Sequence, residues 1–407
     1  MKTKKHMHPT VIATGWVSFF NDLASEIIYP LMPVFLTSVL GISTAFIGLI
    51  EGAAESVNSF IKLFSGWLAD RAGRKRPLLI FGYGLAALAR PLIGLATAGW
   101  QVLGLRLADR FGKGVRGAPR DALVAELTEP DQRGLAFGYQ RAMDHAGAIA
   151  GPLVASALLA AFGMSYRVLF VLTLLPGAAA IIVVWNWIRE ADGGGGVAPS
   201  RNARPPEGGT ANHFPFSDLA GFWRTADARL RWLLIIIGVF ALGNSTDAFL
   251  ILRARDLGVP VALIPILWAV HHVSKSALSV PGGILSDRLG RRPTILAGWI
   301  VYGIVYLGFA AASAQWHAWA LFIVYGVFFA LTEGVERAFV ADLAPAEKRG
   351  LAFGFYYFIL GLAALPASLM FGAVWTAIGY KAAFIMGAVL ALAASALLWV
   401  HAPERDR

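Results

Sequence analysis

Apolar runs of about 20 residues or more follow one another along the chain, separated by short polar or Gly/Pro-rich breaks, and a helix of that length crosses a hydrocarbon layer roughly 30 Å thick. Twelve such runs are readable, at about 10–37, 44–69, 77–97, 100–126, 134–162, 166–189, 230–257, 260–286, 293–314, 317–343, 350–377 and 380–401. The pattern predicts an all-α membrane protein of twelve transmembrane helices. It is interrupted at 190–229, where EADGGGGVAPSRNARPPEGGTANHF is too rich in Gly, Pro and polar residues to bury a core. The chain therefore reads as an N-terminal six-helix bundle over 1–189, a linker over 190–229 and a C-terminal six-helix bundle over 230–407. FSDLAGFWRTADARLR, from Phe216, reads as a short interfacial helix leading into span seven.

The two halves repeat. ALVAELTEPDQRGLAFG (122–138) matches AFVADLAPAEKRGLAFG (338–354) at 10 of 17 positions with an offset of 216, and GWLADRAGRK (66–75) matches GGILSDRLGRR from Gly282 with Gly66 and Asp70 on Gly283 and Asp287. Internal duplication of this kind marks secondary transporters, whose substrate site lies near the bilayer midplane between the repeats.

Composition agrees: 57% of the residues are hydrophobic, only 15% are charged and the mean hydropathy is +0.62, against about 25% charged in ordinary soluble domains. The net charge of +10 is not a nucleic-acid-binding face, because 21 of the 35 Lys and Arg lie at the termini and in the even-to-odd connections, four lie on the opposite side (Arg167, Arg253, Arg255, Lys381), and the other ten lie within helices. By the positive-inside rule both termini are cytoplasmic, in the cell (inner) membrane. The first run carries Asp22 and Glu26 and has no small-residue cleavage pattern, so it reads as a retained span. With no Cys in the chain, disulfide and thiolate chemistry are excluded.

Charge inside the spans carries the candidate chemistry. On span four, Arg106, Asp109, Arg110, Lys113, Arg116 and Arg120 fall within about 120° of arc. A Lys or Arg at a helix centre costs about 2.5–3.5 kcal/mol on insertion scales, so this stripe must face partners or a wet cavity. The stripe contains Gly112, Gly114 and Gly117 in G-x-G-x-x-G spacing. A dinucleotide fingerprint needs a strand before it and a helix after it; here a membrane helix runs through, and the glycines serve helix packing. On span two, Glu51, Glu55, Asn58 and Lys62 share about 60° of arc, and span one adds Asp22, Ser25, Glu26 and Tyr29 over about 100°. Burial favours a protonated acid and a nearby Arg an ionised one, so a carboxylate moved beside and away from Arg110 takes and releases a proton. Span five holds Arg141, Asp144 and His145. The second half has Asn244 and Asp247 in span seven, His271, His272 and Lys275 in span eight, and Glu333, Glu336 and Arg337 in span ten. Glu333 and Arg337 read as an i, i+4 pair. No nucleophile elbow, H-E-x-x-H, Walker sequence or Cys ligand set is present, so no enzyme, cofactor or metal is expected.

G-x-x-x-D-R-x-G-R-K between spans two and three, with its degenerate copy between eight and nine, resembles the signature loop of the major facilitator superfamily, and the six-plus-six duplication extends the resemblance over nearly the whole chain. The resemblance implies alternating access and assigns Gly66, Asp70, Arg71, Gly73, Arg74, Lys75, Asp287, Arg288 and Arg291 to conformational switching. R-x-x-x-G in span four, at Arg110 and Gly114, resembles the pattern of proton-coupled carriers, with Lys113 and Arg116 as departures from it. Gly138, Gly147, Gly151 and Pro152, with Ala155, resemble the span-five motif of drug-export antiporters.

The expected protein is thus a monomeric antiporter exporting a small organic solute against protons, or sodium. Asp22, Glu26, Glu51, Glu55, Arg110 and Asp144 are the coupling candidates. Tyr29, Asn58, Lys62, Arg106, Lys113, His145, Asn244, Asp247, His272, Lys275 and Glu333 are the pathway candidates. A proton symporter importing an organic anion, with Arg106, Arg110 and Lys113 meeting it, and a lipid or lysolipid flippase are the alternatives.

Overall fold

The computed structural model describes residues 7–72, 75–129, 133–189, 221–345 and 349–401; for Leu63 and residues 66–72, 133–134 and 349–351 it describes the backbone only. The predicted linker and the start of the interfacial helix lie largely outside these residues; Gly221–Thr225 is helical.

Helices follow the twelve predicted runs. Span one is Pro9–Ile28 and Met32–Ser38, span two Thr44–Ala72, span three Arg76–Ile93, span four Gly99–Glu126, span five Arg133–Phe162, and span six Tyr166–Leu172 with Leu174–Trp187. Span seven is Ala228–Gly243 and Ala248–Asp256, span eight Ile264–Leu289, span nine Arg291–Ala311, span ten Gln315–Leu343, span eleven Arg349–Ala377 and span twelve Tyr380–His401. Among the described residues, nine helical segments are long and apolar enough to cross a membrane by themselves. Spans one, two and four fall short. They are the ones that carry the polar lines, so they need protein neighbours rather than lipid around those faces.

Three spans are divided where no break was anticipated, span six only at Thr173. Span one opens at Tyr29–Leu31, around Pro30, and span seven opens between Gly243 and Ala248. At the offset of 216 between the repeats, Asn244–Asp247 fall on residues 28–31, so the duplication extends to the broken helices. Pro152 lies inside the helix of span five, Arg133–Phe162.

In the first half, span one packs on five and six, and span four on two and three; in the second, ten packs on eight and nine, and twelve on seven and nine. Spans two and eleven, and spans five and eight, form the seam between the six-helix bundles. The second bundle is filled by aromatic rings: Phe240 stacks on Trp299 at 4.5 Å and Tyr302 on Tyr306 at 4.1 Å, all four buried. Such contacts suit a setting where packing, not water exclusion, holds helices together.

At the end of the molecule away from the termini the bundles touch. Thr44 Oγ1 and Thr376 Oγ1 are 2.8 Å apart, Arg255 donates to Thr37 Oγ1 at 2.6 Å, and Ser156 donates to the Ala262 carbonyl at 2.6 Å. Below this closed end, Ser56 donates to the Gly361 carbonyl at 2.6 Å and Lys62 lies 5.4 Å over the Tyr357 ring.

Candidate functional site

The span-four stripe divides into paired and unpaired cations. Asp109, 2% exposed, lies between Arg90 Nε at 2.9 Å and Arg106 Nη1 at 3.4 Å. Arg106 also grips Glu51 with two nitrogens, at 3.0 and 2.5 Å, and stands 6.0 Å over the Tyr29 ring. Arg90 donates further to the Asn21 carbonyl and Oδ1 at 2.9 and 3.0 Å. Arg116 donates to the Gly82 carbonyl and to Asn21 Oδ1, both at 3.1 Å, and covers the Tyr83 ring at 4.6 Å. Arg120 reaches Ser18 Oγ at 3.2 Å, Asp121 at 3.0 Å and Asp144 at 3.9 Å. Buried charges persist only when paired and hydrogen-bonded in this way. Glu51 and Arg106 therefore form part of a paired network across spans one to four.

Arg110 and Lys113 differ. Neither has an ion pair or hydrogen bond to a described side chain within contact distance, and Arg110 Nε is buried without an acceptor. Lys113, exposed though it lies midway along span four, faces Glu55, which is also exposed and has Arg110, Lys62 and Lys113 within electrostatic reach. Among the described residues the one side-chain hydrogen-bond partner of Glu55 is neutral: Asn58 Nδ2 donates to it at 2.9 Å. In span one, Asp22 accepts from Asn21 Nδ2 at 2.9 Å, and Glu26 accepts from Ser25 Oγ at 3.3 Å. Glu26 also crosses the seam: Trp268 Nε1 of span eight donates to it at 2.8 Å, His272 Nε2 lies 3.8 Å away, and Trp268 packs against Tyr29 at 5.1 Å.

The second-half candidates are distributed around this centre. Tyr325 donates to Asp247 at 2.7 Å beside the break in span seven, and Asn244, in the same break, returns its backbone N–H to Phe240 and Ala241. His271 is 2% exposed, stacks on Tyr325 at 5.1 Å and has Nδ1 3.2 Å from the Phe322 carbonyl, the geometry of a packing histidine. Lys275 pairs with Glu333 at 2.7 Å, nearer than the anticipated Arg337 at 3.6 Å. Glu336 is held by Trp299 and Tyr356, each at 3.0 Å. Arg141 stands 3.8 Å from Asp144, and His145 lies within electrostatic reach of Lys275 across the seam.

The Major Facilitator Superfamily model matches residues 14–270 and 233–407. The chain belongs to this superfamily. An uncharacterized MFS-type transporter of Methanocaldococcus jannaschii is 32% identical over 400 residues, covering 97% of this chain and 95% of that protein. Multidrug resistance protein MdtH of Klebsiella pneumoniae is 24% identical over 388 residues, covering 93% and 91%. Among solved structures, the nucleoside transporter NupG superposes with TM-score 0.77 at 14% identity, covering 97% of this chain and 100% of that one. A bacterial homolog of the lysosomal transporter Spinster, inward-facing and unoccupied, superposes with TM-score 0.70 at 16% identity, covering 97% and 95%. These likenesses establish a facilitator fold and a membrane transporter.

Within this facilitator the signature loop is described in part. Gly73 and Arg74 lie outside the described residues, as do the side chains of Asp70 and Arg71 and the surroundings of Gly66. Lys75 pairs with Glu126 at the end of span four. In the second copy, Arg291 binds Asp287 at 2.6 Å, Ser286 at 2.8 Å and Asp342 at 3.2 Å, tying spans eight, nine and ten together, while Arg288 is exposed.

The span-five motif splits physically. A Cβ on Gly147 would sit 2.4 Å from the Phe19 carbonyl and one on Gly151 2.8 Å from the Leu23 carbonyl, both in span one, whereas one on Gly138 meets nothing within 4 Å. Gly147→Ala is accordingly expected to destabilise the detergent-solubilised protein by about 1–3 kcal/mol and Gly138→Ala to leave it within about 0.5 kcal/mol. Thermal unfolding of the two variants side by side checks this; equal midpoints would remove the packing role.

Three residues of the site had escaped notice. Arg90, the lone charge within the third apolar run, was a readable signal, since an unpaired guanidinium inside a span demands an acid. Asn21 and Trp268 carried no signal, because neither type is costly enough in a span to force a partner, and only the assembled helices show what they touch.

Proposed function

We propose that this facilitator exports a small organic solute in exchange for protons, by alternating access between the two bundles. The carrying observation is that, among the described residues, Asp22, Glu26 and Glu55 meet no Lys or Arg within 4 Å, only Asn21, Ser25, Trp268, Asn58 and the more distant His272, while Arg110 and Lys113 stand within electrostatic reach. A carboxylate in that position is ionised or protonated according to how near the cations come, and rocking the bundles changes that distance. Proton and solute then compete for one state, and the gradient drives exchange. Glu51 supports the site through Arg106, and Asp144 through Arg120 and Arg141. The closed end away from the termini is the outer end, with both termini and the 190–229 connection on the cytoplasmic side of the cell membrane, and the protein works as a monomer. The name of the relative MdtH, a multidrug resistance protein, supports the direction.

Internal pH of proteoliposomes holding a preset proton gradient tests this against cationic, neutral and anionic solutes. A transported solute is expected to dissipate the gradient, and Glu55→Gln or Asp22→Asn to reduce that response by about 100-fold or more. Labelled solute crossing without proton movement would refute proton exchange, and solute and proton entering together would make the protein a symporter.

A further inference from the structure

Four of the seven cations in the first bundle's interior (Arg90, Arg106, Arg116 and Arg120) each lie against an acid or an accepting oxygen, from Asp109, Glu51, Asn21, the Gly82 carbonyl, Ser18 and Asp121. The other three, Lys62, Arg110 and Lys113, do not. Lys62 lies 5.4 Å over the Tyr357 ring, and neither it nor Arg110 nor Lys113 has an acid within 4 Å among the described residues. All three act on Glu55, and Lys113 lies within electrostatic reach of both Arg110 and Lys62. Acids are present at longer range, since Glu26 and Asp22 also face this wall. Each acid, however, accepts from a neutral donor: Glu55 Oε1 from Asn58, Glu26 Oε2 from Trp268, Asp22 Oδ1 from Asn21. Among the described residues the wall thus presents one guanidinium and two ammonium groups that no acid touches within 4 Å.

A guanidinium carries five N–H donors in a planar fork and an ammonium three. Groups of this kind at mid-membrane depth recover their desolvation cost through charge-assisted bonds to oxygen anions. Around them stand Tyr29, Trp268, Tyr357, Phe60 and Phe358, the rings bridging the seam at 5.1 Å (Tyr29–Trp268) and 5.6 Å (Phe60–Phe358). We infer that Lys62, Arg110 and Lys113 form the seat for an anionic group of the transported solute, a carboxylate, phosphate or sulfonate on an aromatic or apolar body, with Arg106 excluded from the seat by its pairing. This rests on the carrier reading but is independent of which way protons flow.

The test uses three probes of one shape, 1-naphthoate, 1-naphthylmethanol and 1-naphthylmethylammonium, with lysophosphatidylglycerol as a lipid arm. Binding to the detergent-purified full chain is measured by thermal shift and movement by uptake into proteoliposomes. Naphthoate is expected to raise the unfolding midpoint more than the other two naphthyl probes. Lys113→Gln or Arg110→Gln is expected to weaken naphthoate by about tenfold or more, and Lys113→Arg to recover most of it. Preference for the ammonium or alcohol probe, no binding of any anionic probe, or an affinity untouched by Lys113→Gln and Arg110→Gln overturns the seat. Stronger binding of the lysolipid, lost in the same variants, keeps the seat and assigns it to an anionic headgroup. If naphthoate binds but does not cross, the seat stands and the carrier reading fails; if the ammonium crosses and naphthoate neither binds nor crosses, the reverse holds.

Discussion

Asp109→Ala is expected to lose about 3–5 kcal/mol of stability, more than any other single substitution in the first bundle, because it strands a buried cation. Asp109 is the anion nearest Arg90, and it shares Arg106 with Glu51. Without it Arg90 keeps only the neutral oxygens of Asn21, at 4% exposure. Asp109→Asn, which keeps volume and hydrogen bonding, separates the loss of charge from the loss of packing and is expected to retain part of the stability. Arg90→Met with Asp109→Leu removes both charges and is expected to be more stable than Asp109→Leu alone. Thermal unfolding of the solubilised variants measures all of these. Arg110→Gln is the contrast, expected to be near neutral for stability, since no described acid touches it. If Asp109→Ala and Arg110→Gln unfolded at the same temperature, the division of the stripe into paired and free cations would be wrong.

Gly48→Leu is expected to hold the bundles apart at their closed end. A Cβ on Gly48 would stand 2.2 Å from the Ser368 carbonyl, and one on Gly372 2.8 Å from the Thr44 carbonyl, so spans two and eleven meet there backbone to backbone. A backbone carbonyl cannot swing away as a long side chain can. The cheapest response is therefore to part the two spans, and an overpacking cost of about 1–3 kcal/mol moves the balance between states by about 5- to 150-fold. The chain has no Cys, so a Thr44→Cys, Thr376→Cys pair, replacing hydroxyls 2.8 Å apart, reports closure cleanly. Oxidation is expected to cross-link this pair in the parent and several-fold less once Gly48→Leu is added, with solute transport falling in parallel. Equal cross-linking with transport intact would show that the closed end does not depend on this approach.

Much of this was legible in the order of residues. A bilayer imposes one length and one polarity on every span, so apolar runs alone predict the twelve helices, and the repeated segments predict the duplicated bundles. Polar lines on spans one, two and four were visible for the same reason, since a charge inside a span is too costly to be incidental. The tertiary structure decided which charges face which. Helical periodicity places Arg106 and Arg110 on one stripe of span four, but the neighbouring helices determine that Arg106 meets Glu51 and Asp109 while Arg110 meets no acid among the described residues. That distinction depends on side chains from spans one to three converging over distances of 3 Å, to which a one-dimensional pattern is blind. The breaks in spans one and seven, the Glu26–Trp268 contact across the seam and the choice of Lys275 over Arg337 as the nearer partner of Glu333 are of the same kind. Each is settled by competition among packed neighbours, whereas the spans themselves are settled by the solvent.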